Sequence, residues 1–82
     1  MDNQREQEYL SQEEINLTNL YGDALSSLYR DHKKWVSNYS AYARWNHERR
    51  LAWILIIQAS AAKGLPMARE IVARATQIRL TN

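Results

Sequence analysis

Between residues 29 and 53, aromatic side chains alternate with cationic ones. On a continuous helix, Trp35, Tyr39 and Tyr42 would share one face. Arg30, Lys33 and Arg44 would then lie on the opposite face. Cations at this density can follow phosphates or an acidic protein surface, and aromatic residues and arginine are enriched at binding interfaces. The simpler interpretation is that the aromatics pack in a core while the cations face water.

Both interpretations select the same side chains as candidates. The basic residues predicted to contact nucleic acid or an acidic partner are Arg30, Lys33, Lys34, Arg44, Arg49, Arg50, Arg69 and Arg79. The side chains predicted to anchor an interface are Tyr21, Leu28, Trp35, Tyr39, Tyr42 and Trp45.

Motifs for catalysis or metal binding are incomplete. His47-Glu48 begins like a zinc-protease helix, but the second histidine would fall at Leu51. The adjacent Asp31 and His32 point about 100° apart on a helix. The two glycines are isolated and cannot form a phosphate-binding loop, and no serine has the context of a nucleophile elbow. We therefore predict a protein that is not an enzyme and that uses no cofactor or metal.

Composition predicts one small domain. The chain has 82 residues, of which 45% are hydrophobic and 24% charged, and it contains no cysteine. Residues 1–14 carry five acids and one arginine, whereas residues 30–50 carry six cations and two acids. The longest apolar run, residues 51–62, is shorter than the roughly 20 residues that span a membrane. We predict a flexible acidic leader over 1–10 and a helical domain over 11–82, cytoplasmic and without a membrane partner.

Helical signals cover the rest of the chain. Ser11 and Glu14 match a capping box, which predicts a long first helix. Residues of low helix propensity predict a break or kink within 36–46. Asn46 can cap a further helix that ends near Lys63. The apolar run at 51–57 predicts that this helix is covered on most sides.

The end of the sequence predicts a turn after this helix and then another helix. Gly64 suits the left-handed position after a helix, and Pro66 opens the next helix, predicted to end near Thr76. Ile78 and Leu80 are expected to be apolar anchors beyond a turn at residue 77. The predicted fold is all-α, a small bundle of three to four helices with a long N-terminal helix and a truncated helix-turn-helix-like C-terminal half.

Residues 49–82 resemble the first half of the winged helix-turn-helix in MarR-type transcriptional regulators. The resemblance rests on the apolar helix 51–57, the break Gly64-Leu65-Pro66, the helix 68–76, Gln77 at the turn and Ile78 after it. It implies a dimeric regulator that binds duplex DNA, with the long first helix in the dimer interface. Gln77 departs from the glycine or asparagine that is commoner at such turns, and only residues 79–82 remain for a recognition helix. A plain helical hairpin is the alternative structure.

Three functions remain open from the sequence. The first is a helix-turn-helix DNA-binding regulator, or a fragment of one. The second is a small helical interaction factor, such as a phage or plasmid accessory protein or inhibitor, that docks on a larger complex through its basic-aromatic middle segment. The third is a homodimeric helical bundle, although the heptad-like apolar set in the first helix is short for a coiled coil.

Overall fold

Four α-helices make up most of residues 10–81, the part of the chain that the computed structural model describes. They are α1 (Gln12–Asp31), α2 (Val36–Arg44), α3 (His47–Ala62) and α4 (Pro66–Thr81), with a 3-10 turn at Lys33–Trp35. The prediction of a small all-α bundle with a long first helix is confirmed. The predicted leader lies outside the described residues apart from Leu10.

Helix α1 is the central element and contacts every other helix. It begins with the predicted capping box: the Ser11 amide donates to Glu14 Oε1 at 2.8 Å, and the Glu14 amide donates to Ser11 Oγ at 3.1 Å. Its buried face supplies nearly half of the core. The core consists of Tyr21, Ala24, Leu25, Leu28, Trp35, Tyr42, Ile54, Ala68, Ile71 and Ala75.

The chain breaks twice between α1 and α3. His32 adopts an extended conformation that ends α1, ahead of the predicted region. Trp45 is also extended and ends α2, within the predicted 36–46 window. Ser37 and Asn38 remain helical, because propensity is a weak preference that packing overrides.

The corner between α3 and α4 follows the predicted signals. Gly64 has φ of 92°. The amide of Gly64 donates to Ala61 O at 2.9 Å and that of Leu65 to Ser60 O at 3.0 Å, the paired bonds of a Schellman motif. Pro66 then begins α4, and the two helices are bent by 111°.

The predicted turn at Gln77 is wrong, because α4 continues to Thr81. Residues 76–81 contain neither glycine nor proline, so nothing in the sequence stops the helix. Thr76 Oγ1 donates to Val72 O at 2.9 Å within the same helix. Leu80 is 79% exposed and is not an apolar anchor.

The prediction that α3 is covered on most sides is also wrong. Ile54 is its only buried residue, whereas Leu55 and Ile56 are 56% and 62% exposed. Helices α1 and α4 pack on one side of α3. Among the described residues no further element covers the other side.

No single helix in residues 10–81 is long and apolar enough to cross a membrane. Helices α3 and α4 satisfy that length and composition test only when taken together, across their bend.

Candidate interaction surface

A buried hydrogen-bond network fixes the corner where α1, α2 and α3 meet. Tyr42 Oη donates to Thr18 O, and Thr18 Oγ1 donates to Ile15 O at 2.7 Å. His47 Nδ1 lies 2.8 Å from Thr18 Oγ1. The Thr18 hydroxyl has one proton, which it gives to Ile15 O, so it can accept a hydrogen bond from His47 when Nδ1 carries a proton. The Thr18 side chain is fully buried, so this network holds the start of α3 against α1.

Two half-buried tryptophans lie on this corner. The rings of Trp45 and Trp53 meet edge to face, with centroids 6.1 Å apart and planes at 61°. Both rings also contact Tyr42, with centroid distances of 6.1 and 5.5 Å. Edge-to-face pairs at this spacing are favourable beyond the area they bury. The tryptophans therefore form a rigid aromatic surface.

One arginine, Arg49, lies against this aromatic surface, and a second, Arg44, is its neighbour in the sequence. The guanidinium carbon of Arg49 lies 4.9 Å from the centroid of the Trp45 ring, a cation–π geometry. Arg44 is exposed one residue before Trp45. We call Arg44, Trp45, Arg49 and Trp53 the tryptophan–arginine patch. Glu48 is the one acid within residues 44–53, so the patch carries net positive charge.

Arg50 has a structural role. Its Nε donates to Tyr42 O at 2.9 Å and one terminal nitrogen donates to Ala43 O at 3.0 Å. The guanidinium also lies 5.0 Å from the Tyr42 ring centroid. Arg50 thus satisfies the last carbonyls of α2, which is a common use of a cation at a helix C-terminus.

The other predicted cations do not converge on one surface. Lys34 Nζ is 3.5 Å from Glu70 Oε1, and Lys33 Nζ lies 5.6 Å from the Tyr29 ring centroid. Arg79 lines a cleft that also contains Glu13. The remaining two predicted cations, Arg30 and Arg69, are exposed on α1 and α4 respectively.

Four of the six predicted interface anchors are corrected to core residues. Tyr21, Leu28, Trp35 and Tyr42 are each 3% exposed or less, so they offer no surface to a partner. The physical reason is that α1 is central, which buries its aromatic and leucine stripe within the chain. The half-buried anchors are Tyr39, stacked on Tyr29 at 5.5 Å, and Trp45.

Two contacts of the structure, one at the patch and one between α1 and α4, were not predicted from the sequence. Trp53 belongs to the apolar run of α3, and only the crossing of α2 and α3 brings it beside Trp45. Arg74 Nη1 is 2.8 Å from Asp31 Oδ2 and also donates to Ser27 Oγ, which ties α4 to α1. No local spacing could have revealed a pair separated by 43 positions.

The clefts beside the patch are too small or too open for a buried ligand. Trp45, Trp53 and Ser37 border a cleft of about 160 Å³, below the usual range for small-molecule sites.

Burial raises the pKa of Tyr42 above its ordinary value near 10, although the nearby Arg50 cation opposes that shift. Residues 10–81 contain no group of three or more acidic or histidine residues able to hold a metal ion.

Comparison of the chain with protein-family models, with curated proteins and with solved structures finds no match.

Proposed function

We propose that this chain is a small helical interaction factor that docks on an acidic surface of a larger protein complex through the tryptophan–arginine patch. The observation that carries the proposal is the edge-to-face pair of half-buried tryptophans with Arg49 against the Trp45 ring. The exposed Arg44 precedes Trp45 in the sequence and adds to the local positive charge. Tryptophan and arginine are the residues most enriched where binding energy concentrates.

The rigidity of the patch supports this proposal. The buried Thr18–His47 contact and the Arg50 bonds to α2 hold the corner before any partner arrives. Binding therefore orders few additional side chains, and ordering side chains is a main loss on association. The cleft between the two tryptophans is too small for a typical small-molecule ligand, so partly exposed aromatic rings beside a cation fit an acidic protein surface better.

The experiment compares two charge-reversed proteins. Arg44→Glu with Arg49→Glu alters the patch, whereas Arg30→Glu with Arg69→Glu alters exposed cations elsewhere. Both doubles change the formal net charge by the same amount. Tagged versions would be expressed in the native host, and captured proteins compared quantitatively. We expect a partner retained by the wild type and by the second double, but lost by the patch double.

Loss of a few kcal/mol at such a patch weakens binding by a factor of about 30 or more. Trp45→Ala should have a similar effect, with far-UV circular dichroism to check the fold. A partner captured equally by the wild type and by the patch double would refute the assignment of this surface.

DNA binding is the second candidate, and one observation favours it. Helices α3 and α4 are bent by 111° across a three-residue turn with Gly64, within the range of helix-turn-helix motifs. In this arrangement α4 would be the recognition helix, in place of the helix expected after residue 77. The bend between α3 and α4 is the observation that supports the MarR-type resemblance, which remains a proposal. Against it, Arg69 is the only cation in the first two turns of α4.

A salt titration of duplex binding separates the two candidates. If DNA is the partner, affinity should fall steeply with salt, and Arg69→Ala should reduce the slope of the log–log plot by about one. Absence of binding at low salt would remove the DNA candidate and leave the protein partner.

A further inference from the structure

Helix α3 presents a continuous apolar stripe on the side away from the core. The stripe is defined as Ala52, Leu55, Ile56, Ala59 and Ala62, and all five residues are exposed. Their spacing places them on one helical face, opposite the buried Ile54. Single exposed apolar residues are ordinary, but a contiguous stripe marks a surface that associates with something.

We infer that this stripe is the interface of a symmetric antiparallel dimer, in which α3 packs against α3 of a second copy. The inference does not depend on the tryptophan–arginine patch. It also moves the predicted dimer contact from α1 to α3, because Tyr21, Ala24 and Leu28 of α1 are buried within the chain.

The four stripe residues from Ala52 to Ala59 are self-complementary in order. A twofold axis between Leu55 and Ile56 places Leu55 against the partner's Ile56 and Ile56 against the partner's Leu55. Ala52 and Ala59 lie at equal distances on either side of that axis, so Ala52 faces the partner's Ala59. Leu55 and Ile56 fill the centre of the contact, and the small residues on either side of it allow the flanking turns of the two helices to approach closely. An isologous interface requires this self-matching property.

The charges at the ends of the stripe select the antiparallel orientation. Glu48 and Lys63 are both exposed and lie at equal distances from the same twofold axis. An antiparallel pair therefore brings Glu48 beside the partner's Lys63 at both ends. A parallel pair would instead oppose like charges. This charge complementarity points to a second copy as the occupant.

A lipid surface fits the stripe less well. Helices that lie on membranes carry basic residues along the polar face. The polar ends of this stripe instead carry Glu48 at one end and Lys63 at the other. The face of a 16-residue helix is small compared with the roughly 800 Å² per partner of a standard interface, so we expect reversible association in the micromolar range or weaker.

Disulfide trapping tests the register directly, because the chain has no cysteine of its own. Two variants, Ala52→Cys and Ala59→Cys, would be oxidised separately and as a mixture. In the antiparallel pair the two copies of either position lie roughly 10 Å apart along the axis, too far for a disulfide. We therefore expect a crosslinked dimer in the mixture at a yield at least fivefold above either variant alone. Equal yields in all three samples would overturn the inference.

Sedimentation of the unmodified chain over a range of concentrations provides the second measurement. Ala59→Glu should weaken self-association at least tenfold. Ala73→Glu, the same change at an exposed position of α4, should leave it unchanged. Circular dichroism confirms that both variants fold. A wild type that remains monomeric at millimolar concentration would overturn the inference, as would monomeric binding to anionic phosphatidylserine vesicles through this stripe.

Charge exchange gives a third arm. Glu48→Lys or Lys63→Glu alone should reduce association, and the double exchange should restore it. Failure of the double to recover would overturn the antiparallel arrangement. Trp45→Ala should leave crosslinking unchanged, so failure of the dimer is distinguishable from failure of the patch.

Discussion

Replacing Ile54 by alanine tests whether α3 is docked through one face. Ile54 is fully buried and is the only buried residue of that helix. The change removes three carbon atoms, about 2.4 kcal/mol of transfer free energy at ~0.8 kcal/mol each. The cavity left behind raises the expected loss of unfolding free energy to about 3.5 kcal/mol. A domain of this size has a total of only about 4–12 kcal/mol.

Ile56→Ala is the matched control, because it makes the same change two residues along the same helix. Ile56 is 62% exposed, so roughly two-fifths of the transfer term is lost, about 0.9 kcal/mol. Alanine recovers about 0.4 kcal/mol through its higher helix propensity. The net expected loss is about 0.5 kcal/mol.

Urea unfolding followed by far-UV circular dichroism measures both variants. The protein should be at a concentration well below the dissociation constant that sedimentation gives for the dimer, so that self-association through the stripe contributes little. With a slope of about 1 kcal/mol per molar urea, the midpoint should fall by about 3.5 M for Ile54→Ala and about 0.5 M for Ile56→Ala. Equal shifts, or a larger shift for Ile56→Ala, would refute the orientation of α3 described above.

Three further predictions use the same unfolding measurement. Gly64→Ala should lower the free energy of unfolding by about 1 kcal/mol because φ is 92° at that position, although no atom would crowd the added methyl group. Gly22→Ala should instead raise the free energy of unfolding by about 0.5 kcal/mol, because alanine has the higher helix propensity inside α1. Ser11→Ala should cost about 1 kcal/mol by removing the helix cap, and an unchanged midpoint would show that the capping box contributes nothing. Tyr42→Phe should cost about 1 kcal/mol at neutral pH because it removes the buried hydrogen bond that the Tyr42 hydroxyl donates to Thr18 O. Thr18 O keeps its helical donor within α1. Burial raises the pKa of Tyr42 in the folded protein, so above pH 10 the unfolded chain loses the phenol proton more readily than the folded one. The free energy of unfolding of the wild type should therefore be unaffected below pH 10. Above pH 10 it should fall, relative to Tyr42→Phe, by up to about 1.4 kcal/mol per pH unit. If the free energies of unfolding of the wild type and Tyr42→Phe change in parallel with pH, the raised pKa of Tyr42 is contradicted.

Helix boundaries were predictable where the signal is local. The Ser11 capping box, the Asn46 cap and the Gly64–Pro66 corner depend on hydrogen bonds and backbone angles within a few residues. The predicted stop at Thr76 failed because neither glycine nor proline follows it to end the helix. The basic-aromatic segment was identifiable from composition, but its division into buried and exposed residues was not.

What the sequence determined by itself is therefore the set of helices, their caps and the segment richest in binding side chains. Only the tertiary structure decided which aromatic side chains are buried and which are partly exposed at the surface. Because α1 is central, Trp35 and Tyr42 are buried, whereas Trp45 and Trp53 meet at the surface. The structure also decided that the apolar residues of α3 divide between the core and an exposed stripe. Burial depends on which helices pack against each face, and those contacts join residues far apart in the chain.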